Sequence, residues 1–469
     1  MGDTRLLIRS RDDIINFVND APNRKGGLLI IFVALGGIFI DAYDFTSISI
    51  GNAQIQKVFH LSAFGMASVT AIMALGALIG ALFGGYIAEK FGRNKVFLFD
   101  LLLLIVATFG ASLSTLFPIL LGFRFLMGAG VGIDMPVALS FIAEFSNLKS
   151  KGKYTNFWQA FWYVATVSTG LVDLVLYELG VGASLWRYAV GFGGVVSIIV
   201  LILRFIYVNE SPMWAANNLA IEEAARIVEK TYHIQTVVES STAEQPKAWK
   251  PKYSAILSKR YRARTIMGTV ISATQSMQYY SIGFYIPAIS ALIFGKSMIN
   301  SISGTILFNL FGILGGFVGA YLTARYGMRK LTIWGFVLVI ASLLFAGLKT
   351  GNSVLWLSAL PIAVFIFGHS AGPGAQGKAI AANSYPTDLR PLGTGAAEAA
   401  SRIGNIIGIF FFPIILSALG LSATLLILII CPAIGLVTSL LIRWDPTGKN
   451  LEQELSETVL SDSDTVPLG

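Results

Sequence analysis

Long apolar runs alternate with short polar turns along almost the whole chain. Twelve runs are long enough to cross a bilayer core as helices: residues 28–52, 64–88, 95–115, 117–145, 154–178, 186–207, 265–295, 300–325, 331–349, 353–383, 392–418 and 420–443. They are called segments 1 to 12 below. A charged leader, residues 1–27, precedes segment 1, and residues 5–20 within it are expected to form a short interfacial helix. Segment 1 is too long and starts too late for the apolar core of a cleavable signal. Residues 208–264 form the one long polar interruption, with an amphipathic helix expected near Ile221–Tyr232. The pattern predicts an all-α membrane protein with a six-helix half at 28–207, a linker at 208–264, a second six-helix half at 265–443 and a polar tail at 444–469, the tail being expected to lack order.

Two strings recur at one offset. Gly84-Gly85-Tyr86-Ile87-Ala88-Glu89-Lys90-Phe91-Gly92-Arg93 between segments 2 and 3 returns as Gly319-Ala320-Tyr321-Leu322-Thr323-Ala324-Arg325-Tyr326-Gly327-Met328. Glu210-Ser211-Pro212 after segment 6 returns as Asp445-Pro446-Thr447. Two echoes at one offset predict a duplicated six-helix unit. In the first copy Glu89 and Arg93 are placed to pair at the membrane edge; the second copy has Ala324 and Met328 there.

Composition sharpens this picture. The chain is 55% hydrophobic and 13% charged, with 48 glycines, which suit closely packed membrane helices. The net charge of +8 raises the possibility of nucleic-acid binding, but its distribution points elsewhere. With the N-terminus inside, about 27 of the 34 Lys and Arg lie on the inner side; Lys57, Arg187, Lys296 and Lys349 lie outside. This is the bias that orients membrane proteins, so both termini are expected in the cytoplasm. The single cysteine, Cys431, lies in an apolar run and is read as packing. No Cys/His cluster suggests a metal, and no nucleophile–base pair or phosphate loop suggests an enzyme.

The charged residues inside the apolar runs carry the functional argument, since a charge at the bilayer centre costs roughly 2.5–3.5 kcal/mol on insertion scales. Gly372 to Asn405 is the most informative stretch. It places Lys378 before a short turn, Tyr385 to Pro391, and Arg402 after it, each at membrane depth. Two cations there suggest an anionic substrate, with local neutralisation of Arg402 by Glu398 as the competing reading. Segment 11 aligns Glu398, Arg402 and Asn405 on one helical face, and segment 10 breaks at Gly372-Pro373-Gly374, as backbone lining a cavity is free to do. In segment 1, Asp41 and Asp44 stand three residues apart and share a face. Segment 4 holds Asp134 at mid-depth and Arg124 nearer the outer end; Arg124 is expected to pair with a segment 1 carboxylate. Segment 5 carries a polar stripe, Gln159, Tyr163, Thr166 and Asp173, the last near the outer end and expected to be solvated. Segment 7 offers Gln275, Gln278 and Tyr279. His369 is read as a satisfied interior group and His233 as a surface residue.

These motifs resemble the major facilitator superfamily over about residues 28–450. GGYIAEKFGRNK is similar to the superfamily's loop 2–3 signature, RFLMGAGVG to its segment 4 signature, Glu210-Ser211-Pro212-Met213-Trp214 to the PESPRW string of sugar porters and organic-ion transporters, and Tyr385-Pro386-Thr387-Asp388-Leu389-Arg390 to their FPTxxR. The resemblance implies a conformational motif of Gly85, Glu89, Gly92, Arg93, Arg124, Glu144, Arg329 and Arg390. Asp41-Ala42-Tyr43-Asp44 and the segment around Asp134 resemble acidic motifs of phosphate:proton and metabolite:proton symporters. Gln159 matches a cavity glutamine of sugar porters, Lys378 stands where those carry a tryptophan, and Ser401-Arg402-Ile403-Gly404 resembles organic-anion transporters. Segment 7 lacks the aspartate of phosphate symporters, with Gln278 nearby, which speaks against phosphate.

The resulting expectation is a monomeric, proton-coupled symporter of a small anionic metabolite, such as an organic or sugar acid, in the plasma membrane and working by alternating access. Asp41, Asp44 and Asp134 would carry protons; Gln159, Gln275, Gln278, Tyr279, Lys378, Arg402 and Asn405 would hold the substrate. No cofactor beyond the coupling proton and no nucleic-acid partner is expected. Sugar symport, phosphate symport and drug or metabolite efflux are the alternatives.

Overall fold

The computed structural model describes residues 5–20, 25–239, 252–348 and 355–452. All twelve apolar runs are helical where described. Segments 2 to 6 are unbroken helices: Ala63–Phe91, Arg93–Leu113, Phe117–Phe145, Lys151–Glu178 and Leu185–Tyr207. Segments 8 and 9, Met298–Tyr326 and Met328–Leu348, are likewise continuous. The others are interrupted. Segment 1 breaks between Lys25–Ala34 and Gly36–Val58, and segment 7 bends by 42° between Arg262–Gly283 and Ile286–Phe294. Segment 10 passes from Leu355–His369 through a π turn, Ser370–Gly374, into Ala375–Ala382. Segments 11 and 12 follow one another in Arg390–Leu428 and Ile430–Leu441; Gly420, with φ of 75°, turns the chain between them. The outer faces carry large apolar side chains such as Phe83, Phe99, Val106 and Phe205, as lipid-facing surfaces do.

The duplication is visible in atomic detail. Gly92 and Gly327 occupy the same left-handed conformation, φ 96° and 83°, at the sharp turns before segments 3 and 9. The Glu210 carboxylate accepts from the backbone N–H groups of Arg93 (2.9 Å) and Asn94 (3.3 Å), and Asp445 accepts from that of Arg329 (3.1 Å). Each half thus returns an acidic residue from its sixth helix to the N-terminus of its third, where partial positive charge and free N–H groups await an acceptor.

The leader departs from expectation. Residues 5–20 are not an interfacial helix. Arg5–Ile8 is a strand pairing in parallel with Gln235–Val238 of the linker, and Arg11–Asp20 packs against the linker helices Pro212–Asn218 and Ile221–Tyr232. Ile8, Ile14, Met213 and Val228 are fully enclosed in this small cluster, which the apolar periodicity of so short a leader did not reveal. The linker helix has the bounds predicted, and exposed His233 caps it in the left-handed region. The start of the tail is ordered too: Glu452 accepts from Thr387 N–H (2.7 Å) and pairs with Arg390 (3.1 Å). Residues 453–469 lie outside those described.

Candidate functional site

Between the halves lies a small cavity of about 10 Å3, room for about one water. Segment 5 contributes Trp158, Gln159 and Trp162; segment 7 contributes Gln275, Tyr279 and Tyr280. His369, Lys378 and Ser401, from segments 10 and 11, complete the wall. The polar stripe of segment 5 therefore faces inward at Gln159, and its tryptophans at i and i+4 share that face.

Lys378, in the wall, belongs to a cluster of four buried charges. The Lys378 ammonium and the Arg402 Nε both bind Glu398, each at 2.7 Å, and Arg402 Nη2 donates to Asp41 at 2.7 Å. The two cations are thus compensated by two carboxylates. The structure takes the competing reading, in which Glu398 neutralises Arg402, and extends it to Lys378, which the sequence left without a partner. Glu398 reaches both cations because Lys378, on the neighbouring segment 10, sits beside the segment 11 face that carries Glu398 and Arg402. The Asp41 contact joins the first half to the second.

The halves also touch above and below the cavity. Toward the end bearing the chain termini, Trp158 Nε1 donates to Ala375 O (3.1 Å), Asn383 to Thr155 Oγ1 (2.9 Å) and Asn156 to Gln376 (3.0 Å). Toward the opposite end, Ser49 Oγ donates to Phe284 O (2.5 Å), and the Phe45 ring meets Tyr280 edge-on at 4.9 Å. The cavity is closed on both sides.

A cavity shut between two related six-helix halves is what a carrier presents midway through its cycle. The Sugar (and other) transporter family matches residues 29–453. The chain belongs to that transporter family. It is 28% identical over 437 residues to a putative metabolite transport protein, YaaU, of Escherichia coli K12, covering 92% of this chain and 95% of that one. It is 26% identical over 401 residues to the niacin transporter NiaP of Acinetobacter baylyi, covering 84% and 88%. The fold is similar to that of the proton:xylose symporter XylE, a major facilitator protein solved with 6-bromo-6-deoxy-D-glucose: TM-score 0.77 at 18% identity, over 92% of this chain and 98% of that one. The family is one of transporters, not enzymes.

Apart from Arg124, the residues that the resemblance grouped as a conformational motif lie toward the end bearing the termini. Arg93 bridges Glu89 (2.7 Å) and Glu144 (2.9 Å), and Arg390 of the second half approaches Glu144 at 3.6 Å. Asn217 donates to Asp388 at 2.7 Å across the same boundary. Gly85 lies against the Pro391 carbonyl. Among the described residues the Arg329 guanidinium pairs with no carboxylate and instead donates to the carbonyls of Ser439, Leu440 and Ile442 that end segment 12. Burial pushes the Glu210 carboxyl above its ordinary range, opposed by the backbone N–H groups of Ser211, Arg93 and Asn94 and by the Arg93 charge. Glu210→Ala is expected to destabilise the transporter by about 1–2 kcal/mol, as loss of a helix cap does, measurable by thermal unfolding in detergent.

Several expected site residues lie elsewhere. Asp134 is bound to Arg204 of segment 6 at 2.6 Å, beside Asp100 of segment 3, and its carboxylate rests on Gly37. That ion cluster ties segments 1, 3, 4 and 6 together and does not line the cavity. Arg124 is not paired with a segment 1 carboxylate: its contacts are the Val69 carbonyl (3.4 Å) and Met127 sulfur (3.9 Å), because Asp41 is taken by Arg402. Asp44 is fully buried with both oxygens unpartnered, its charged neighbours being Arg124 and Asp41. Asp173 is buried rather than solvated, also without a partner. Gln278 sits behind the wall against His369 (3.4 Å), and Asn405 is buried outside it. Among the residues missed, Trp158 and Trp162 carried a readable signal, two rings at helical spacing beside Gln159. Asp100 and Arg204 were legible as charges inside apolar runs.

Proposed function

We propose that this transporter is a proton-coupled symporter of a small metabolite bearing a carboxylate. The observation that carries this reading is the charge sum of the paired Lys378, Arg402, Glu398 and Asp41, which is zero beside the cavity. An anion entering that site brings an uncompensated negative charge into a low-dielectric interior, and one proton removes it. The substrate carboxylate competes with Asp41 for Arg402, and the displaced Asp41 or the unpaired Asp44 takes the proton. Anion and proton are therefore favoured together, and the loaded carrier turns over as a neutral unit about the midplane site. The niacin transporter among the relatives and the proton:xylose symporter among the solved folds support the two halves of the reading, since niacin is a carboxylic acid. The inside bias of Lys and Arg supports a plasma-membrane carrier with both termini in the cytoplasm. Asp134 serves in this scheme as the anchor of Arg204 and not as a proton carrier.

A neutral-sugar symporter is the second reading, favoured by the same electroneutrality: an uncharged solute enters without disturbing the cluster. The decisive experiment is uptake into proteoliposomes of labelled carboxylates and labelled sugars under an imposed pH gradient. Carboxylate accumulation that collapses with a protonophore supports anion symport; sugar accumulation indifferent to competing carboxylates overturns it. Asp44→Asn is expected to lower gradient-driven accumulation at least tenfold while sparing exchange of substrate across the membrane at equal pH. Wild-type accumulation in that variant would remove Asp44 from the coupling scheme.

A further inference from the structure

We infer that the substrate is a small aromatic monocarboxylate, one planar ring carrying one carboxylate. This rests on the anion reading above and narrows it. The first argument is the nature of the wall. Trp158 and Trp162 bound the cavity from the first half, and Tyr279, Tyr280 and His369 bound it from the second. Most of the wall is ring surface, and the rings are fixed: Tyr279 stacks on His369 at 4.7 Å and stands edge-on to Tyr280 at 5.2 Å. Rigid aromatic faces favour a ring in stacked or edge-to-face contact.

The second argument is where the polar groups point. Trp158 Nε1 is spent on Ala375 O (3.1 Å), Trp162 Nε1 on the Tyr279 hydroxyl (2.9 Å), and Gln275 Nε2 on Ser272 O (3.1 Å). Ser401 donates to Ser276 at 3.1 Å. These side chains turn their donors into the protein and their apolar surfaces to the cavity. Gln159 Oε1 is left without a protein partner. A polyol would bury several hydroxyls against surfaces that cannot satisfy them, which is strongly unfavourable.

The third argument is the charge. Lys378 is the cation in the wall. Its ammonium has three donors, of which Glu398 takes one at 2.7 Å, and it lies 4.6 Å over the Trp158 ring. A carboxylate taken up between Lys378 and Arg402, which share Glu398, leaves its ring beside Trp158 and Trp162. A second carboxylate would point at ring faces, whose negative quadrupole repels it.

The test uses purified full-length protein and three probes of similar size: benzoate, cyclohexanecarboxylate, which keeps the charge without the flat ring, and benzamide, which keeps the ring without the charge. Binding is read by thermal shift and by tryptophan fluorescence. Benzoate is expected to stabilise the protein and quench emission, with cyclohexanecarboxylate at least tenfold weaker and benzamide weaker still. Trp162→Phe is expected to retain the preference for benzoate and Trp162→Leu to lose it. Equal binding of benzoate and cyclohexanecarboxylate overturns the aromatic assignment and leaves the anion reading standing. Binding of xylose or glucose with none of the carboxylates overturns both.

Discussion

Arg402→Gln is expected to abolish uptake, by at least a hundredfold, and to destabilise the protein by about 3–5 kcal/mol. Arg402 holds Glu398 and Asp41 at once, each at 2.7 Å, with all three side chains nearly inaccessible. Its removal leaves Glu398 with Lys378 but strands Asp41 as a buried anion. The loss of stability should therefore be repaired by a second change, Asp41→Asn, which deletes the stranded charge and leaves the neutral Lys378–Glu398 pair. Transport should not return, because the group that exchanges a protein carboxylate for a substrate one is still missing. A double-mutant cycle of thermal unfolding, run beside uptake, separates the two effects. Wild-type stability in Arg402→Gln alone would show that Asp41 is not held by this contact.

Gly85→Leu is expected to stop transport by a different route, with the fold intact. A Cβ at Gly85 would stand 2.3 Å from the Pro391 carbonyl oxygen, and one at Gly395 2.6 Å from that of Ala81, so segments 2 and 11 meet there backbone to backbone. A leucine side chain wedges the two halves apart at the end bearing the termini and leaves the opposite end free to close. The cycle then stalls open toward that end. Labelling of Thr155→Cys, in a background with Cys431→Ala, should rise at least tenfold from that side. Thr155 accepts from Asn383 in the closed form and is buried there, so unchanged labelling would mean that the halves close despite the wedge.

The membrane-spanning architecture was legible because each segment announces itself locally. Apolar length marks the spans, and the repeated Gly92 and Gly327 strings mark the duplication. The polar stripe of segment 5 is carried by one helix and was legible as a pattern, but only Gln159 of it lines the cavity. The charge pairing was legible only within one helix, where Glu398 and Arg402 stand four residues apart. Asp41 and Arg402 are 361 residues apart, and no periodicity says which carboxylate meets which cation. Arg124 was the nearer candidate for a segment 1 acid, and it lost to Arg402 because the two halves close around Asp41. Asp134 had an available partner in Arg204, whose charge inside segment 6 was the clue. The leader was misjudged because a four-residue strand carries too little pattern to specify its partner across the chain.

That strand has a consequence for how the protein is made. Arg5–Ile8 pairs with Gln235–Val238, and Arg9 binds Glu239 at 2.6 Å, a partner 230 residues later. At about 5–20 residues per second, the first strand leaves the ribosome roughly 10–50 s before its partner exists. Between the two lie six membrane crossings. An even number returns the linker to the side where the leader waits; a skipped or inverted segment leaves the partners separated by the bilayer. The small sheet is therefore a parity check on insertion, able to close only on chains whose first half has been threaded correctly.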